Sequence, residues 1–140
     1  LLLVLMTSLL IWIAALAAWI FLSLFIHELY HLAAAFICGL TVERYRLITI
    51  PGRGKGYVDV LIPKGTKYYL LKRGLVHLSG IMAHIFLAVI CFLLFRFSLE
   101  VVLRGIWLEG VVVNTYLVFI NIFLEDSDGR KFWDMIKQNK

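Results

Sequence analysis

Apolar side chains fill almost every position from Leu1 to Leu40, and Glu28 is the single charged residue in that run. A helix of that length rises roughly 60 Å, about twice the ~30 Å hydrocarbon core of a bilayer. The run therefore predicts either one long tilted helix or, as the favoured reading, two spans lying end to end, the second from about Ala15 to Cys38 with Gly39 at its C-cap. From Thr41 to Gly74 the pattern changes. "RYRLITI" and "GYVDVLI" are short β-favouring runs on either side of the glycine-rich Pro51–Gly56, so together they predict a β-hairpin. Gly74–Phe95 and Ile106–Leu124 are two further apolar spans, joined by the more polar "RFSLEVVLRGIWLEG". The tail after Glu125 carries mixed charge, and its "KFWDMIK" is amphipathic in a way suited to a membrane surface. The expected fold class is an all-α polytopic membrane protein. It has three or four transmembrane helices and a β-hairpin insertion after the helix that carries the histidine motif described below. One domain over 1–140 is expected, with 41–74 as a cytosolic hairpin loop and 125–140 as a cytosolic tail.

Composition agrees with a bilayer as solvent. Hydrophobic residues make up 62% of the chain and charged residues 16%, with a mean hydropathy of +0.92, where soluble domains carry about 25% charged residues. The net charge of +5 is not arranged as a nucleic-acid-binding stripe, so no nucleic-acid partner is expected. Topology accounts for it better. Eight of the basic residues lie between Arg44 and Arg73 and four more lie in the tail, whereas Arg96 and Arg104 alone occupy the connection between the later spans. The positive-inside rule then places hairpin and tail in the cytosol and residues 96–110 outside. Cys38 and Cys91 both fall in apolar spans and imply no disulfide. The first stretch has no basic n-region and too long an apolar run for a signal peptide. The chain begins at Leu1 rather than methionine, which leaves a longer parent protein open.

Within the first apolar run, "LFIHELYHLAA" holds His27, Glu28 and His31 in the pattern H-E-x-x-H. Residues i and i+4 share one helix face, so both imidazoles aim at one point, and Glu28 beside them is placed to take a proton from an attacking water. Coincidence is a poor alternative, because an ionisable group at mid-bilayer costs about 2.5–3.5 kcal/mol and rarely stands without a partner. The pattern predicts Zn2+ as cofactor. A catalytic zinc takes three protein ligands and a water, so one ligand is missing. If the motif helix leaves the membrane near Leu40, His31 lies about 14 Å deep from the basic side. Glu100 and Glu109 fall on the other side, and Glu43 and Asp59 reach the site only if the hairpin folds back. His84 enters its own span to a matching depth, and Asp128 must dip back in after the last span; depth alone favours His84. The glycine-rich turn lacks the lysine-serine pair and following helix of a phosphate loop.

These segments, taken together, resemble the site-2 protease family of intramembrane zinc metalloproteases over roughly residues 20–130. "FIHELYH" is similar to the family's H-E-x-x-H helix, and "NIFLEDSDGRKF" (Asn121–Phe132) to its later L-D-G segment, with Asp128-Gly129 as the D-G pair. "RGLVHLSGIMAHIFLAV" resembles the intervening helix, whose usual pattern is A-G-P-x-x-N; here Ile81 replaces the proline and His84 the asparagine. Leu124 stands where a proline follows the family asparagine, Ser127 replaces an apolar residue, and the D-G pair is about one residue nearer Asn121 than usual. The resemblance implies His27, His31 and Asp128 as zinc ligands, Glu28 as general base, and Asn121 near the substrate strand. Asn121 and His84 are the candidates for substrate or oxyanion contacts.

The implied activity is hydrolysis of a peptide bond in or near a transmembrane segment of a membrane-bound protein or peptide. The lipid bilayer is the surrounding partner, and a regulatory membrane partner is left open. A prenyl-protein-type membrane metalloprotease with Glu125 as third ligand is the alternative enzyme, and a zinc-binding scaffold or transporter the alternative without catalysis. The localisation expected is integral and multi-pass, with the active site towards the cytosol.

Overall fold

Neither glycine nor proline occurs before Gly39, and with nothing to break it the first apolar run forms one helix, α1 (Leu2–Ile37), 36 residues long. Of the two sequence readings, the single long helix rather than two end-to-end helices is the one found. Gly39 ends the helix at φ +63. The Leu40 N–H donates to the Ala35 carbonyl at 2.9 Å and the Gly39 N–H to that of Phe36 at 3.0 Å. That is a Schellman stop, and it packs Leu40 against Ala35 in a small buried cluster with Val76. The computed structural model describes residues 2–138, and side chains from residue 5 onward.

Two strands follow, β1 (Thr41–Arg46) and β2 (Tyr57–Leu61), paired antiparallel with Thr41 opposite Leu61 and Arg46 opposite Tyr57. The register shifts between Val42 and Arg44, so Glu43 forms a bulge. The first strand starts earlier than "RYRLITI" predicts, because the Schellman stop delivers Thr41 directly into the pairing. Residues beyond Arg46 instead curl into the loop, where the Arg46 guanidinium donates to the Arg53 carbonyl at 2.9 Å.

Three long helices carry the rest of the membrane fold. With α1 stand α2 (Tyr69–Phe97) and α3 (Val101–Phe123), both longer at one or both ends than the apolar runs alone indicate. All three are long and apolar enough to cross a bilayer. A short amphipathic helix, α4 (Asp128–Lys137), comes back against the start of α2, where Phe132 and Met135 meet Gly74.

Polarity runs inside out. Leu9, Phe21, Phe86 and Phe119 are exposed, while Ser23, His27, His31, Ser79, His84 and Asn114 are buried. In a bilayer the apolar faces meet lipid, and most buried polar groups find partners within the bundle. Small residues let the helices approach closely enough for this. A Cβ on Gly110 of α3 would sit 2.7 Å from both Cys91 Sγ of α2 and the Trp19 ring of α1, and the Trp19 indole donates to the Ile106 carbonyl at 2.8 Å.

Candidate metal centre

The i, i+4 spacing of His27 and His31 on an unbroken helix brings their Nε2 atoms to 3.1 Å from each other. The third member comes from the far end of the chain. After α3 ends at Leu124, Asp126 takes a left-handed conformation at φ 61 and turns the backbone. Ser127 then caps α4: its hydroxyl accepts from the Arg130 N–H at 3.3 Å and donates to the Leu124 carbonyl at 2.6 Å. Asp128 therefore opens the first turn of α4, where the helix dipole favours a carboxylate. Its Oδ2 lies 2.9 Å from His31 Nε2 and 3.1 Å from His27 Nε2. Gly129 permits the close seat, since a Cβ there would stand 2.5 Å from the Asn121 carbonyl oxygen and 2.8 Å from Ile122 Cα.

The donor set fits a zinc ion. The His31 Nδ1–H donates to the Val76 carbonyl at 2.7 Å, with Ser79 Oγ at 3.0 Å, which leaves the Nε2 of a neutral ring as a lone pair. That lone pair faces a carboxylate oxygen and a second imidazole nitrogen, an arrangement of donors that calls for a cation between them. Four ligands placed tetrahedrally at 2.0–2.1 Å from zinc are spaced by about 3.3 Å, close to the triangle observed. Gly80 of α2 supplies the floor. A Cβ at this position would lie 2.7 Å from both Nε2 atoms, so only a glycine leaves the ligand space open.

Glu28 is half-buried and lines a cavity of about 400 Å³ together with His27, His31 and Asp128. β2 also lines it through Tyr57–Val60, while Arg73 and Lys131 add positive charge. The chain at Gly56 runs against the Glu28 stem: a Cβ there would be 2.8 Å from Glu28 Cγ. The hairpin thus lies over the carboxylate rather than away from the bundle.

The other sequence candidates fall elsewhere. His84 lies behind His27, with its Nε2 3.1 Å from His27 Nδ1, on the side of that ring opposite the Nε2 triangle; it does not share the point where the three donors meet. The Asn121 amide donates to the Leu117 carbonyl of its own helix at 2.9 Å and is not part of the cavity lining. Glu125 is exposed on the turn before α4, so an arrangement with Glu125 as third ligand is not favoured. Asp59 lines the cavity but is paired with Arg44 at 3.2 Å. Sequence reasoning missed Gly80, Ser79 and the Val76 carbonyl as parts of the site. The Ser-Gly pair within "LSGIMAH" was the available signal, and it carries no chemistry of its own.

The model of peptidase family M50 matches residues 15–138. Comparison with curated proteins and with solved structures gives no match. Members of the family are intramembrane zinc metalloproteases, which is the chemistry that two histidines, an aspartate and an adjacent glutamate support. The matched stretch begins within α1 and runs through α4, so it takes in every side chain of the triangle; this chain belongs to peptidase family M50, the site-2 protease family.

Proposed function

We propose that this chain hydrolyses a peptide bond in or beside a transmembrane segment of another membrane protein or peptide, with His27, His31 and Asp128 holding zinc and Glu28 as general base. The observation that carries this reading is the meeting of three donor atoms in the cavity that Glu28 lines. When bound, zinc supplies a Lewis acid and lowers the pKa of a water to about 7. Glu28 takes a proton from that attacking water and returns it to the leaving amine. Asp128 contributes a negative charge to the site, and the two imidazoles remain neutral. Tyr57–Val60 of β2 line the cavity and belong to a two-stranded sheet, in which each strand has one unpaired edge. An unwound substrate adds beside it as an extended strand, since a helical substrate keeps its carbonyls bonded internally. The basic residues of the hairpin loop and tail support a cavity that faces the cytosol.

Glu28→Gln should keep zinc and lower cleavage by about 10²–10⁴-fold. The measurement is cleavage of a membrane-inserted reporter by purified protein, with metal content determined on the same sample. Undiminished cleavage by the Gln variant, or cleavage by the parent that withstands a zinc chelator, would overturn the assignment.

A further inference from the structure

His84 and Asn114 are each 0% exposed, at the middle of a bundle whose outer faces are apolar. Most buried polar side-chain atoms have a hydrogen-bond partner, and for these two residues the partners form a single line. The Asn114 amide lies 2.9 Å from the Gly110 carbonyl, which can only accept, so its Nδ2 donates there and its Oδ1 faces the other way. That Oδ1 lies 3.1 Å from His84 Nδ1, which must therefore be the protonated nitrogen of His84. The Nε2 of a neutral His84 is then a lone pair, and it lies 3.1 Å from His27 Nδ1, which must donate to it. What remains on His27 is a bare Nε2, turned towards His31 and Asp128.

We infer that His84 and Asn114 are positioning residues. Starting from one backbone carbonyl of α3, they fix His27 in the tautomer and ring orientation that leaves Nε2 free for the metal. His31 obtains the same result from the Val76 carbonyl of α2. The two ligands of the motif, side by side on α1, thus both take their direct partner from α2, and the line behind His27 runs on to α3. An imidazole whose far nitrogen is bonded in this way is a better-oriented and more basic ligand, and loss of such a partner typically costs 10–100-fold in metal affinity. The inference rests on the zinc reading of His27, and it assigns His84 a role that does not require contact with substrate.

The test is zinc affinity of the full chain in detergent, measured by competition with a chromophoric chelator, with helix content checked for each variant. His84→Leu should bind zinc about 10–100-fold more weakly. His84→Gln, whose amide oxygen can accept from His27 Nδ1, should stay within about threefold of the parent. Asn114→Leu should weaken zinc although residue 114 does not touch His27, and it should add nothing to His84→Leu in the double variant. Parent-like affinity in His84→Leu, no recovery in His84→Gln, or additive losses in the double variant would each overturn the relay. Asp128→Ala keeps the two levels apart. A parent that binds zinc no better than Asp128→Ala defeats the zinc reading itself, whereas Asp128-dependent binding with unaffected relay variants defeats the relay alone.

Discussion

A methyl group at position 80 would stand 2.7 Å from the ring nitrogens of both motif histidines. Contacts under 3 Å force something to move, and the neighbours here are the donor atoms themselves rather than the free end of a flexible chain. Gly80→Ala should therefore displace one or both imidazoles. Ligand geometry tolerates little of this, and a 1 Å misplacement is enough to cost about 10²-fold in rate. We expect Gly80→Ala to lose bound zinc and to lower cleavage by that order, with helix content unchanged because alanine is the better helix former. Gly65→Ala is the control: its φ of +94 makes the substitution strained, but nothing lies within 4 Å of the added carbon. Metal content of the two purified variants separates the cases. Equal zinc in both would show that α2 can retreat from the histidines.

At the scale of elements, the site depends on how α4 is set against α3. Asp128 reaches the histidines because a left-handed Asp126, the Ser127 cap and the bare Gly129 together turn the chain sharply back. Gly129→Val should push the start of α4 off the Asn121 and Ile122 backbone and carry the carboxylate with it. Zinc binding should fall more than in Ser127→Ala, where only a cap worth about 1 kcal/mol is removed. Isothermal titration of both variants with zinc checks the order, and a Ser127→Ala loss equal to that of Gly129→Val would contradict it. The same elements show what a sequence can and cannot disclose. His27 and His31 are legible because their spacing is local and the helix period is fixed. Asp128 lies 97 positions from His31, and no periodicity links the two; only the likeness of "SDG" to a family motif points to it. The continuity of α1 was legible in principle from its lack of glycine and proline, but span length argued the other way. Bilayer thickness limits the part of a helix that lies in lipid, not the helix.

For the molecule as a whole, the interior mixes polar and apolar side chains while the outside is apolar, so little hydrophobic force holds the helices to one another once they are in the bilayer. The triangle joins two of these elements directly, α1 through His27 and His31 and α4 through Asp128, while Val76 ties α2 to His31. Without a cation the three facing lone pairs repel, so the junction that places Asp128 is the part of the fold most dependent on metal. A ligand that binds only the folded state stabilises it by RT ln(1 + [L]/Kd), about 2.7 kcal/mol at a hundredfold excess over Kd. Zinc added to chelator-stripped protein should therefore raise the thermal unfolding midpoint in detergent, and it should slow proteolysis at the turn between α3 and α4. Asp128→Ala should show a smaller rise in midpoint and no protection of that turn, because two imidazoles on one helix hold zinc more weakly and without tying α4 to anything. If zinc stabilised the Asp128→Ala protein as much as the parent, the ion would be bound elsewhere, and the closure of α4 over the histidines would have to be driven by the packing of Phe132 and Met135 on Gly74 alone.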